Sequence, residues 1–258
     1  MTDRVLCYIN AFDRGPLPIY QQQARMLVAS LLHTGFAGDI KLIHNGAEPV
    51  FRHHHEQVEE IGVNTPETNA ECSTAKYRSR SLFSVDNYDW VMFLDVDCIA
   101  ATPLDDWFNG PEIIRYATEP RMPIQLSQFS GYLSEDEMVN LKQGGFNSGS
   151  FIIKAEYYQE VLTEWERIDN LPILRERQCC DQPAWNRLLL DTPYSKKHIT
   201  GPDVHFYYDH PNFMDMLGTP FMHFCGCDNP ERILAMQAKF ITHFHTDAHG
   251  SLLRVLAR

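Results

Sequence analysis

The stretch that most restricts the fold of this chain runs from Tyr88 to Asp97. Tyr88 to Leu94 is almost continuously apolar and is followed at once by Asp95-Val96-Asp97. A strand that is apolar on both faces must be covered on both, so it belongs inside a sheet with layers above and below it. The preceding residues supply such layers. Arg4 to Ala11 is rich in strand formers, and Ile19 to His33 repeats apolar residues at helical spacing up to a stop at Gly35. Asp39 to Ile43 reads as a second strand before the Asn45-Gly46 turn, and helices are expected over His54–Ile61 and Ala75–Val85. Strand, helix, strand, helix, strand is the signature of an α/β sheet with parallel strands.

The second half is less regular. Ser134-x-x-Glu137 is a capping box opening a short helix to Leu141, which Gly144-Gly145 ends. A strand follows at Phe146–Lys154, then helices at Ala155–Ile168 and Asp181–Leu190. Strands near Val204–Tyr208 and within Pro220–Cys225 precede a C-terminal helix or tail from about residue 231. No repeat or linker divides the 258 residues, and one domain over 1–258 is the expectation.

Composition excludes several classes. The chain holds 34 acidic and 22 basic side chains, a formal charge of -12, which disfavours a nucleic-acid backbone as partner. At 44% hydrophobic residues it can build a core, yet no run reaches the length of a membrane span. Met1-Thr2-Asp3-Arg4 lacks the pattern of a secretory leader, and seven cysteines without a Cys-x-x-Cys pair suit free thiols in a reducing compartment. The expected location is cytoplasmic, or peripheral to a membrane.

Asp95 and Asp97 carry the first chemical signal. On a strand, residues two apart point the same way, so two carboxylates would converge at the C-terminal end of a buried strand, where open α/β sheets bind ligands. Oxygen donors there suit a hard divalent ion, Mg²⁺ or Mn²⁺. The plainer alternative is that both acids cap the loop Cys98–Pro103. Phosphatases of the haloacid-dehalogenase type also place Asp-x-Asp after an apolar strand, with the first Asp as nucleophile. They carry it near the N-terminus, with Thr or Ser where Ile99 stands here. Three further segments bear on the choice. Gly144 to Ile153 puts small residues and Asn147 directly before an apolar strand, Asp181-Gln182 opens a helix with Asp181 as a natural N-cap, and His223 sits within Phe221-Met222-His223-Phe224-Cys225-Gly226.

In this order, Asp95-Val96-Asp97, Phe146-Asn147-Ser148-Gly149, Asp181-Gln182 and His223-Phe224-Cys225-Gly226 resemble the motifs of GT-A fold, nucleotide-sugar-dependent glycosyltransferases. The similarity is to the family 8-like group of glycogenin and bacterial galactosyltransferases and runs over about residues 4–235. The resemblance implies a Rossmann-like α/β domain with a mixed, mostly parallel sheet flanked by helices. It implies a hexosyltransferase that moves a hexose from a nucleotide-diphosphate sugar, usually a UDP-hexose, to a saccharide or other hydroxyl acceptor with retention. It assigns Asp95, Asp97 and His223 to Mn²⁺ (or Mg²⁺), with Asp95 also at the ribose. It places Asn10, Ala11 and Phe12 at the base and ribose, and Arg78 or its neighbour Lys76 at the diphosphate and sugar. Asn147, Gly149 and Gly226 would line the donor pocket, and Asp181 and Gln182, with Arg78, would serve the transferring sugar.

One departure stands out. The family follows His-x-x-Gly with Lys-Pro, and this chain has Asn229-Pro230, leaving Arg232 as the nearest substitute cation. Two readings therefore stay beside transfer: the Mg²⁺-dependent phosphatase, and a nucleotide-sugar-binding protein without turnover. The histidine runs His53-His54-His55 and His243-x-His245-x-Asp247 with His249 are read as surface and as tail packing.

Overall fold

A computed structural model describes residues 3–51, 55–175, 179–199, 205–206, 219–225 and 229–244. Ten strands fall into a seven-stranded sheet of order β3-β2-β1-β4-β7-β6-β8 and a three-stranded sheet of order β5-β10-β9. They are β1 (Val5–Ala11), β2 (Asp39–His44), β3 (Val58–Gly62), β4 (Trp90–Leu94), β5 (Cys98–Ala100), β6 (Ile114–Pro123), β7 (Gly144–Lys154), β8 (Lys196–His198), β9 (His205–Phe206) and β10 (Phe221–His223). The helices are α1 (Ile19–His33), α2 (Asn69–Arg78), α3 (Glu135–Asn140), α4 (Ala155–Asp169), α5 (Gln182–Asp191) and α6 (Asn229–Phe244). The large sheet is mixed: β1–β2, β2–β3 and β6–β8 run parallel, while β6–β7 is antiparallel. This is the α/β architecture that the alternation of elements predicts. None of the described helices is long and apolar enough to cross a membrane.

The described residues cluster into two compact units. One comprises 5–65, 94–109 and the described residues after 200. Its strand β1 is wholly buried from Leu6 to Ile9, as a covered interior strand requires. Helix α1 has no side-chain cap at Pro18. Asp13, six residues before the first helical residue, does that work: its carboxylate accepts from the backbone N–H of Tyr20 (2.8 Å) and Gln21 (3.2 Å). Gly35, at φ +82°, makes the left-handed stop. Met26, Ala29, Ile99, Met222, Phe224, Met236 and Phe240 form one buried cluster, joining α1, β5, β10 and α6.

Within that unit Lys239 of α6 is fully buried, donating to the Thr219 carbonyl (2.7 Å) and hydroxyl (2.9 Å), with His243 Nε2 at 3.4 Å. Burial lowers its ammonium from 10.5 to about 7. Between those values the unfolded chain holds a proton that the folded chain lacks, so stability rises with pH across that window. Below about 7 both states carry the proton and the full burial penalty remains. Urea midpoints should therefore climb from pH 7 to 9. Lys239→Met should raise the midpoint at pH 7, by a stability on the order of a few kcal/mol, and flatten the slope. An unchanged slope in that variant would contradict this assignment.

The other unit comprises 66–93 and 110–199 with the residues just before β1. Its core is a column of aromatic rings: Phe93 on Phe151 (5.2 Å between centroids), Phe151 on Trp165 (5.5 Å) and Trp185 (4.9 Å), and Trp165 on Trp185 (4.6 Å). Such pairs add about 0.5–1.5 kcal/mol each beyond area burial, and these tie α4 and α5 to β7. Asn186 of α5 completes the tie, accepting from Phe146 N (2.8 Å) and donating to Phe146 O (2.7 Å).

Several expectations change. Within the helix expected over His54–Ile61, residues from Val58 onward instead form β3, where parallel pairing with β2 decides for strand. Helix α2 begins earlier than Ala75 because Thr68 accepts from Glu71 N (3.1 Å), and it ends at Arg78 in a short 3₁₀ turn, Ser79–Ser81. The Ser134–Glu137 capping box is present, but Gly144 and Gly145 lie inside β7 and do not end α3. They are needed there: a Cβ at Gly144 would strike the Glu119 carbonyl, and one at Gly145 the Phe129 ring. Strands β5, β6 and β8 have no counterpart in the sequence reading. His53, His54, Gly226, Cys227, His245, Asp247 and His249 lie outside the described residues, as does most of the strand expected near 204–208.

Candidate active site

The acidic motif lies one residue past the end of β4. Asp95–Asp97 form a turn between β4 and β5, so strand alternation does not orient them. The turn does. Strand β5 pairs antiparallel with β10, placing Cys98 opposite His223, and Phe224 N donates to the Asp97 carbonyl at 2.8 Å. Ser30 of α1 accepts from Ala100 N at 3.1 Å, anchoring β5 from the other side. With the backbone so held, His223 Nε2 lies 3.1 Å from Asp97 Oδ1 and 3.8 Å from Asp95 Oδ2. Asp97 and His223 are buried, whereas the Asp95 side chain is 29% exposed.

Arg232, from the first turn of α6, reaches Asp97 Oδ2 at 3.3 Å. Burial alone would raise the Asp97 carboxyl, but the facing His223 and Arg232 outweigh it and hold it well below the usual carboxylate range. Asp97 is therefore an anion with one oxygen toward an imidazole and the other toward a guanidinium. Two carboxylates and an imidazole within 3.8 Å of one ring nitrogen are a donor set that fits a divalent cation. The Cys98 thiol lies close enough to join: single donor atoms of Asp97, Cys98 and His223 all fall within 4.8 Å of one another.

A second cluster forms in the other unit. Lys76, facing inward from α2, has its ammonium 3.1 Å from Asp181 Oδ2 and 3.3 Å from both the carbonyl and the hydroxyl of Ser148. It also stands over the Phe93 ring at 5.4 Å. The Ser148 hydroxyl donates to Asp181 Oδ2 (2.8 Å), and Ser148 N donates to Gln182 Oε1 (3.2 Å). Asp181 stands at the N-cap position of α5 but makes no side-chain cap, contrary to the N-cap reading. Its carboxylate turns instead to the Lys76 ammonium and the Ser148 hydroxyl. Its carbonyl accepts from Trp165 Nε1 at 3.2 Å. Burial, then the Asp181 charge, pushes the neighbouring Cys179 thiol up to about 11, keeping it protonated.

Beside this, Asn147 donates to buried Glu119 (2.6 Å) and accepts from Gly149 N (2.7 Å). Glu119 and Ser148 were not singled out in the sequence. Glu119 lies on β6, a strand hidden by the prolines at 120 and 123, while Ser148 sits inside a motif whose flanking residues drew the attention.

The remaining sequence candidates fall as follows. Arg78 ends α2 with its side chain 55% exposed, 3.9 Å from Glu166, so Lys76 and not Arg78 is the base brought to Asp181. Asn10 and Ala11 end β1, with Asn10 half-buried and Ala11 and Phe12 buried. Gly226 and the side chain of Asn229 lie outside the described residues.

No protein-family description matches the sequence, and no curated protein does. Solved structures do match. The bifunctional glycosyltransferase WbbM, in an apo structure, aligns over 100% of this chain and 52% of its own, with 14% identity and a TM-score of 0.66. This chain thus spans about half the length of that protein. The galactosyltransferase LgtC, solved with donor and acceptor sugar analogues, aligns over 97% of this chain and 99% of its own, with 11% identity and a TM-score of 0.62. A glycosyltransferase involved in glycosylation of the major capsid of PBCV-1 aligns over 91% and 99%, with 12% identity and a TM-score of 0.57. The chain shares the fold of these glycosyltransferases.

Proposed function

We propose that this protein is a metal-dependent glycosyltransferase that moves a hexose from a nucleotide-diphosphate sugar, a UDP-hexose in the simplest case, to a hydroxyl acceptor. The observation that carries the reading is the convergence of Asp95, Asp97 and His223, on a fold shared with solved glycosyltransferases. The similarity to LgtC favours transfer over the phosphatase alternative.

Breaking the bond between the sugar and the diphosphate builds negative charge on the leaving group and oxocarbenium character on the sugar. When bound, a divalent cation such as Mn²⁺ or Mg²⁺ supplies Lewis-acid stabilisation of that negative charge. Asp95, Asp97 and His223 would hold it. Arg232, fixed by Asp97 Oδ2, contributes a positive charge where the related enzymes use the lysine that Asn229 replaces. Asp181, whose carboxylate is held by Lys76 and Ser148, would serve the transferring sugar. Gln182 accepts from Ser148 N and Asn147 from Gly149 N, and by the resemblance Asn147 and Gly149 would serve the donor sugar. By the resemblance, Arg78 would have a peripheral part, Asn10, Ala11 and Phe12 would serve the base and ribose, and Gly226 would serve the donor. In a retaining reaction the leaving phosphate accepts the acceptor proton, so the chain needs no separate general base. A single domain in the cytoplasm or at a membrane surface suits this role.

A thermal-shift screen of nucleotide sugars with and without Mn²⁺ tests the reading. A donor whose stabilisation requires the cation is expected. The absence of any cation-dependent shift across UDP and GDP sugars would overturn it.

A further inference from the structure

The donor set around His223 is richer than an acidic motif plus an imidazole. Cys98 directly follows Asp97 and opens β5, which pairs with β10 in the register Cys98↔His223. Residues directly opposite in an antiparallel pair project to the same face, with Cβ atoms about 4.5–5.5 Å apart. The thiol and the imidazole therefore face one space, and the turn brings the Asp97 carboxylate to it. The three donors lie within 4.8 Å of one another, with Cys98 fully buried, His223 at 2% and Asp97 at 6% exposure. Bonds of about 2.3 Å to sulfur and about 2.0–2.2 Å to nitrogen or oxygen set tetrahedral ligands roughly 3.3–3.8 Å apart. Closure of the three donors onto one ion thus requires them to draw together by about 1 Å or more.

We infer that Cys98 is a ligand of this cation, making an Asp97–Cys98–His223 centre that takes a borderline-soft ion such as Zn²⁺ or Co²⁺ and discriminates against Mg²⁺. The inference rests on the reading above for the presence of a cation and adds the ligand that sets its identity. Thiolate and imidazole favour Zn²⁺ and its neighbours, whereas Mg²⁺ demands oxygen and keeps its water. Three buried protein donors leave a further position open, the pattern of a catalytic and not a closed structural site. The partly exposed Asp95 carboxylate lies 3.8 Å from the same His223 nitrogen. Binding converts the Cys98 thiol to thiolate, and the proton passes to solvent.

X-ray absorption of the full chain loaded with one equivalent of Zn²⁺ is the test. One sulfur at about 2.3 Å among nitrogen and oxygen neighbours is expected. Cys98→Ser should lose that sulfur and more than roughly tenfold in Zn²⁺ affinity, the loss already typical of an outer-sphere change, with Mg²⁺ affinity unchanged. Cys98→Ala provides the same comparison if the serine variant does not fold. Since the chain has seven cysteines, a sulfur shell that survives in either variant would overturn the assignment. A wild-type shell of nitrogen and oxygen alone would overturn it too, while leaving Asp95, Asp97 and His223 as cation ligands. Failure of Zn²⁺, Co²⁺ and Mn²⁺ all to bind would overturn both readings at once.

Discussion

Asp97→Ala is expected to abolish cation-dependent donor turnover, by roughly a hundredfold to a thousandfold or more, while leaving a cooperative folding transition. The magnitude is that of removing one preorganised electrostatic group from a reacting centre. Asp97 has more at stake than Asp95. It is buried, faces His223 with one oxygen and Arg232 with the other, and stays ionised through the working pH range. Its loss removes the proposed cation ligand and also releases the guanidinium beside it. The fold should persist because β5 and β10 are joined by backbone pairing and by the Met222–Phe224–Met236 cluster, to which the Asp97 side chain does not belong. The check is turnover with donor and Mn²⁺, with circular dichroism as the control. Full activity would contradict the assigned role.

Lys76→Met is expected to lower stability by about 3–5 kcal/mol and to reduce transfer. The ammonium is 11% exposed and its partner Asp181 7%, so the substitution strands a carboxylate whose other partner is the Ser148 hydroxyl. Removing one member of a buried pair has consequences of that size. Arg78→Ala is the contrast. That side chain is half exposed and 3.9 Å from Glu166, an arrangement whose loss changes stability by about 1 kcal/mol or less. Urea denaturation of both variants separates them. Equal, small losses would mean that the Lys76–Asp181 pair is not formed in solution.

Neighbouring positions 76 and 78 also mark what a sequence conveys and what it does not. Both are basic and both fall on one predicted helix, but which of them points inward is set by what that helix packs against, here Asp181 and Ser148 for Lys76. The start of the helix, set by Thr68 and Glu71, is likewise missed by the apolar periodicity, by six residues. The central strand, the amphipathic helix α1 and the capping box at Ser134 were legible because each is a local pattern with a local cause. The strand at 58–62 was not, since it is decided by parallel pairing with β2 and not by a local pattern. Asp95, Asp97 and His223 were legible as residues, but the reason given for their convergence was incorrect: a turn gathers them, not a strand face. The placement of Cys98 opposite His223 and of Glu119 against Asn147 was not legible, because those neighbours come from distant parts of the chain through pairings no local pattern announces.

Mass detection of donor cleavage, with the protein stripped of metal and then resupplied with Mn²⁺, tests most directly whether the chain cleaves a nucleotide-sugar bond with the help of a bound cation, as proposed. Release of the nucleoside diphosphate is expected only in the resupplied sample, and only with Asp97 intact. Cleavage that proceeds equally without metal, or no cleavage of any nucleotide sugar with metal and acceptor saccharides present, would contradict it.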